Sequence, residues 1–345
     1  MRKKGDVYGA HRVIEPVGYL PQQAIKLDNS LPIYSNEILI DVEYLLITST
    51  AFRRIKEQCH SDISKMKHEF TRIVDEKGKF QDPVTGSGGM LTGTIREIGV
   101  SIQNKVNVKK GDKIATLVSL SLTPLKIKEI QEINLNTGHL KIEGYALLFE
   151  KGLCVKLPND LPEDLAVALM DIAGAPAMTA KTVVMGQNVI VFGAGKAGLL
   201  CLYEAMKRVG PTGKVICVEY DSNKVELVKT LNLAHQVIQI DATKPLEVLE
   251  RVKEALGGDL ADVSINCVNV PDTEMATIIS TKDSGIIYFF SMSTTFSKAA
   301  LGAEGAGKSV KMLIGNGYTE GHAELAFQIM RENEKLKEAF KKYFV

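Results

Sequence analysis

No apolar run in this chain approaches the ~20 residues that a helix needs to span a bilayer, so an integral helical membrane protein is not expected. An excess of charge of one sign is lacking too. The 42 Lys and Arg against 41 Asp and Glu leave a net charge of +1, which makes no electrostatic case for nucleic acid or an anionic membrane surface. Cysteine is sparse, odd in number and scattered, at Cys59, Cys154, Cys201, Cys217 and Cys267. That distribution argues against a disulfide framework and for buried thiols in a reducing compartment, so a cytoplasmic location is expected. The six histidines show no ligand spacing, and internal repeats and low-complexity segments are missing. The first six residues are charged with no apolar core behind them, unlike a signal peptide.

What is present is enough length and apolar content (345 residues, 45%) for two cores. The most informative segment is Gly193-Ala194-Gly195-Lys196-Ala197-Gly198. An apolar, β-branched run precedes it (188–192), a good helix former follows (199–206), and a second apolar run (214–218) ends on Glu219. A G-x-G-x-x-G between a strand and a helix, with an acid about twenty residues on, is the dinucleotide fingerprint. Its first glycine permits the tight turn, its second lets a pyrophosphate approach the backbone, and its third lets helix and strand pack closely. Glu219 is then expected to accept hydrogen bonds from the adenosine ribose, which disfavours a 2′-phosphate and favours NAD over NADP. The competing reading is a Gly-rich turn in an ordinary α/β core.

The organisation around this motif is uneven. Residues 37–45 alternate as a half-exposed strand, 52–77 read as a helical excursion, and 82–93 as a glycine-rich turn. Strands are expected at 94–99, 112–118, 144–149 and 154–158, the first two joined by the turn at 109–112. A helix opens at Ala166, and from 188 onward a βαβ rhythm sets in, with later strands at 236–240, 262–268, 285–291 and 309–315. The segment 320–344 reads as a charged amphipathic helical tail.

This order, small barrel first and nucleotide domain second, resembles the medium-chain dehydrogenase/reductase superfamily. The turn Lys110-Gly111-Asp112 and the passage 144–158 carry the resemblance on the barrel side. It implies an α/β fold with an N-terminal GroES-like β-barrel domain (1–158), a doubly wound parallel-sheet Rossmann domain (159–319) and a helical tail (320–345) packing between them. Zinc members of the superfamily supply a Cys, a His and a Cys or Asp from three regions. Here these read Ile47-Thr48-Ser49-Thr50-Ala51, Thr85-Gly86-Ser87-Gly88-Gly89 and Met170-Asp171-Ile172-Ala173, with no Cys or His in the first two. No cysteine falls within 100–140 for a structural zinc lobe, so no metal is expected. Within the superfamily, the opening at 9–16, the run 291–308 and Ile314-Gly315-Asn316-Gly317-Tyr318 resemble the L-erythro-3,5-diaminohexanoate dehydrogenase family of anaerobic lysine fermentation. That resemblance implies a small diamino-acid substrate, NAD-linked oxidative deamination and a homodimer. An amine suits the missing metal, because its oxidation passes through a cationic iminium that zinc would repel, whereas alcohol oxidation develops an alkoxide that zinc stabilises. Zinc-free, NADPH-dependent quinone or enoyl reduction remains an alternative, as does a non-catalytic dinucleotide-binding protein.

Candidate chemistry-bearing residues follow from position. Asp171, near the third ligand region, is a candidate ammonium contact or base, or merely a helix cap; as a base near neutral pH it would need burial. Arg53 and Arg54 could clamp a substrate carboxylate or face solvent. Glu143 could hold the remote ammonium or sit at a strand end. Lys298 and Lys308 are expected in a long mobile loop after the fifth nucleotide-domain strand, as base or phosphate contact. Tyr220 is expected to flank adenine or to pack. Val268, Asn269, Ser291, Met292 and Ser293 lie past carboxyl ends of strands, where open parallel sheets bind ligands. Residues 302–309 formally fit a phosphate loop, but no strand leads in and no helix leads out, as its mechanism requires.

Overall fold

The computed structural model describes residues 2–315 and 317–345 and divides into two units, 1–163 and 164–345. The division falls a few residues past the expected boundary. Asn316, part of the family-like run, lies outside the described residues.

In the first unit the elements are β1 (Val13–Glu15), β2 (Lys26–Leu27), β3 (Ile38–Ile47), α1 (Ser49–Gln58), α2 (Ile63–Lys77), β4 (Gly89–Ile98), β5 (Lys113–Thr116), β6 (Leu125–Ile133), β7 (His139–Leu148) and β8 (Cys154–Lys156). The last six strands form one antiparallel sheet in the order β6-β7-β3-β4-β5-β8. Its apolar face, with residues such as Ile40, Leu45, Leu91 and Leu140, closes one core with Ile55 of α1 and Phe70 of α2. The expected helical excursion is two helices, because His60 and Ser61 take left-handed backbone angles between them. Asp62 then restarts the chain by accepting the Lys65 N–H at 3.1 Å. A separate polar cluster ties the N-terminus down. Arg12 and Glu37, both 0% exposed, form a two-point ion pair at 2.8 and 2.7 Å. Glu37 also accepts from His11 and from the Tyr34 N–H, each at 2.8 Å.

The second unit contains α3 (Glu163–Met170), which starts one residue before the division, then α4 (Gly174–Thr182), β9 (Asn188–Phe192), α5 (Lys196–Val209), β10 (Lys214–Glu219), α6 (Ser222–Thr230), β11 (Gln236–Gln239) and α7 (Pro245–Leu256). It continues with β12 (Ala261–Asn266), α8 (Glu274–Ile279), β13 (Thr281–Phe289), α9 (Phe296–Gly305), β14 (Lys311–Ile314), α10 (His322–Glu332) and α11 (Glu334–Phe344). All six strands are parallel in the order β11-β10-β9-β12-β13-β14. Counted from β9 this is 3-2-1-4-5-6, the doubly wound order whose switch point lies between β9 and β12. The tail is two helices broken at Asn333, whose side chain caps α11 by accepting the Leu336 N–H at 3.0 Å. Among the described residues, no helix is long and apolar enough to cross a membrane.

The mobile loop expected over 291–308 is corrected. Residues 296–305 form α9, with Ala299 and Ala303 buried one turn apart on its inner face. Gly302 is there for packing, since a Cβ would stand 2.4 Å from Met275 Sδ.

Candidate functional site

The turn between β9 and α5 separates the roles of its three glycines. Gly193 has φ +86, and a Cβ there would press on Val268 at 3.1 Å. A Cβ on Gly198 would lie 1.8 Å from the Gly193 carbonyl oxygen, so helix and strand meet only because it is missing. A Cβ on Gly195 would meet nothing within 4 Å, and its backbone is extended, with φ −74 and ψ −170. Its glycine therefore keeps space open in front of the N–H groups of Lys196, Ala197 and Gly198, which have no partner within α5. Open space before a helix N-terminus at the sheet's switch point fits a pyrophosphate.

Glu219 is engaged otherwise than the sequence implies. Only 8% exposed, its carboxylate accepts the Ala194 N–H at 2.6 Å, the Tyr220 N–H at 2.8 Å and the Asp221 N–H at 2.9 Å. It pins the glycine turn to the end of β10 and keeps at most part of its acceptor capacity for a ribose. Replacing Glu219 by alanine strands these N–H groups. The expected outcome is a loss of about 1–3 kcal/mol in chemical denaturation, together with weaker dinucleotide binding by calorimetry. Tyr220 is 73% exposed, so its ring is not packed in the core of this chain.

The strand-end residues come together with the turn. Val268 abuts Gly193 and donates its N–H to Asn266 Oδ1 at 3.0 Å. Ser291 donates to Asn269 Oδ1 at 3.0 Å and accepts the Ser293 N–H at 3.1 Å. Met292 is 91% exposed beside them. Thus Val268, Asn269 and 291–293 share one sheet edge with the glycine turn.

The charged candidates are dispersed. Lys308 Nζ donates to the Thr281 carbonyl at 2.7 Å. Thr281 begins β13, so Lys308 sits at the sheet edge opposite the turn and is removed from the site. Lys298 is an exposed helical residue paired with Asp272. Glu143 lies within β7, not at a strand end, and is paired with Lys128 at 3.0 Å on an exposed face. Arg53 is exposed, whereas Arg54 is held by Asp82 at 2.6 Å and is not free to clamp a carboxylate. Asp171 is exposed in the turn after α3, and the burial that a base role demands is missing.

One arrangement was not legible in the sequence. Thr48, at the β3–α1 junction, and Ser87, before β4, have hydroxyls 2.8 Å apart, and the Thr48 N–H donates to the Gly88 carbonyl at 3.3 Å. A Cβ on Gly88 or Gly89 would collide with Ser121 N or Leu46 O, at 2.5 and 2.0 Å, so the glycines permit this approach. Ser87 continues to Thr85 at 2.7 Å and Thr85 to Asp82 at 3.0 Å. Burial would raise the Asp82 pKa, but the hydrogen bonds from Arg54, Thr85 and Val84 outweigh it and hold the carboxyl below its ordinary value. The segments 47–51 and 85–89 thus present hydroxyls bonded to each other. Hydroxyls are not the thiolate and imidazole donors that zinc sites use. Among the described residues no group of three or more His, Cys, Asp or Glu could hold a metal ion.

Comparison with known proteins sets this geometry in a family. Residues 11–158 match the L-erythro-3,5-diaminohexanoate dehydrogenase N-terminal domain. The chain is 52% identical to L-erythro-3,5-diaminohexanoate dehydrogenase of Acetoanaerobium sticklandii, across 99% of this chain and 100% of that one. It is 53% identical, with the same coverage, to the Fusobacterium nucleatum protein of that name. Among solved structures, a mycobacterial quinone oxidoreductase aligns with TM-score 0.56 at 17% identity, over 90% of this chain and 85% of that one. The quinone oxidoreductase of Coxiella burnetii aligns with TM-score 0.54 at 18% identity, over 91% and 86%. These two share the fold. The end-to-end likeness of the first two relatives shows that the chain belongs to the L-erythro-3,5-diaminohexanoate dehydrogenase family and is an oxidoreductase.

Proposed function

We propose that the chain catalyses NAD-dependent oxidative deamination of L-erythro-3,5-diaminohexanoate to 5-amino-3-oxohexanoate with release of ammonia, as a cytoplasmic homodimer. The observation that carries this reading is the 52–53% identity, over full length, to dehydrogenases named for that substrate. The dinucleotide, when bound, supplies the hydride acceptor. On the protein side, Gly195 leaves room for the pyrophosphate and the first N–H groups of α5 face it. Asn269 and Ser291 order the neighbouring strand ends through their hydrogen bond. The Glu219 carboxylate, fixed by three N–H donors at the end of β10, repels a 2′-phosphate, which favours NAD over NADP. Asp171, exposed in the turn after α3, suits contact with a substrate ammonium.

The test is direct. Purified protein given 3,5-diaminohexanoate and NAD should produce NADH and ammonia in equal amounts, with NADP a poorer acceptor. Absence of turnover with either nucleotide rejects the reading.

A further inference from the structure

Asn266 ends β12 in the middle of the parallel sheet, level with Phe192 of β9 on one side and Phe289 of β13 on the other. It is 0% exposed, and its side-chain amide is committed in every direction. Val268 offers it only an N–H, at 3.0 Å, so the atom facing Val268 is the amide oxygen. The nitrogen then spends its two hydrogens on Thr273 Oγ1 at 3.0 Å and Thr277 Oγ1 at 2.8 Å. Thr277 gives its own proton to the Thr273 carbonyl at 2.9 Å, which leaves its lone pairs for the amide. Thr273 stands at the N-cap position of α8 but makes no side-chain bond to that helix; its hydroxyl serves Asn266 instead.

The backbone of the same residue ties the next strand end. Its carbonyl accepts the Phe290 N–H at 3.0 Å and the Ser291 N–H at 3.3 Å. Asn266 therefore fixes both segments that leave the carboxyl edge beside the glycine turn, 267–269 through its side chain and 290–291 through its carbonyl. The bond from Ser291 to Asn269 joins the two segments a second time. A branched apolar side chain would occupy the same place. What the amide adds is a fixed direction for the Val268 N–H, and with it the angle at which the chain leaves β12. A buried network with its partners in place holds such an angle rigidly.

The location says what that rigidity serves. The glycine turn suits a pyrophosphate at the switch point between β9 and β12, and the acid ending β10 marks the adenosine side. The other half of a dinucleotide then extends over the ends of β12 and β13, the two neighbouring strands whose exits Asn266 holds. We propose that Asn266 is a positioning residue for the nicotinamide ring. Being buried, it does not touch the cofactor; it sets the placement of 268–269 and 290–291, which meet the ring. The inference rests on the reading of the glycine turn as a dinucleotide site.

Calorimetry with two ligands decides it without turnover, because ADP-ribose lacks only the nicotinamide ring of NADH. Asn266→Leu keeps a branched shape and removes the amide. Its dissociation constant for NADH should rise about tenfold while that for ADP-ribose stays within about twofold of the parent. Thr273→Val takes one acceptor from the amide and leaves Asn266 in place, so it serves even where Asn266→Leu does not fold. It should move the ratio of the two constants in the same direction by about threefold. A parent-like ratio in either folded variant overturns the assignment, whether both affinities fall together or neither changes. In the cofactor-free protein, the Val268 amide hydrogen should exchange about tenfold faster in Asn266→Leu, and parent-like protection also overturns it. A parent protein that binds neither ligand rejects the dinucleotide reading, and the inference falls with it. A parent that binds both leaves that reading standing when the variants fail.

Discussion

Replacing Gly195 by valine is expected to weaken dinucleotide binding about a hundredfold and leave the protein folded. A Cβ there meets no protein atom within 4 Å and the backbone is extended, so the melting temperature should stay within a degree or two of the parent. The same side chain fills the space before the helix N-terminus, and the expected affinity loss is on the order of a hundredfold, about 3 kcal/mol. Gly198→Ala behaves oppositely. Its methyl would overlap the Gly193 carbonyl, the backbone of turn or helix has to shift, and stability should fall by about 3 kcal/mol. Calorimetric titration with NADH and a thermal melt on the two variants separate these outcomes. A Gly195→Val protein that binds NADH like the parent would remove the phosphate from this turn.

Arg12→Ala should destabilise the protein by about 3–5 kcal/mol, because it leaves Glu37 buried without its cation. The parent carries the same dependence as a response to acid. Burial alone would raise the Glu37 pKa, but the hydrogen bonds from Arg12, His11 and the Tyr34 N–H overcome it and lower the pKa from 4.5 to about 2. A depressed carboxyl pKa gives stability that is fully present above the unfolded value and is lost as the pH falls toward the folded one. The window is therefore from about 4.5 down to about 2, with up to about 3 kcal/mol at stake. Asp28 and Asp82, also held below their ordinary values, act in the same direction. Guanidinium midpoints at pH 7, 4 and 3 should fall steeply for the parent. Glu37→Gln should start lower and fall less; equal pH dependence in the two proteins would contradict this account.

Where the fold was legible, a period or a motif signalled it. Each strand expected in the second unit was found to within a few residues, because buried parallel strands read as unbroken β-branched runs. β6 had no such signal. Its buried residues Leu125, Ile127, Ile130 and Ile133 are spaced two, then three, then three apart, because register shifts interrupt its pairing with β7. α9 was hidden for another reason. Gly302 and Gly305 lower helix propensity, and the close approach to Met275 that makes Gly302 useful is invisible along the chain. α4 was missed similarly, with Gly174 and Pro176 in its first turn.

By itself the sequence determined the parts of this protein that depend on neighbours along the chain. These are the strand–turn–helix around residues 193–198, the distinct glycine positions within it, the acid at 219, and the missing thiol and imidazole at the two barrel positions. Tertiary structure alone decided which partner each polar group takes. It gave the Glu219 carboxylate to three backbone N–H groups, Arg54 to Asp82, Lys308 to the far edge of the sheet, and Thr48 to a serine 39 positions away. The physical reason is that helices, strands and glycine turns are written in short-range sterics and periodicity. Which partner a polar side chain takes is set instead by the groups that folding brings within hydrogen-bond reach, and these come from residues far apart along the chain.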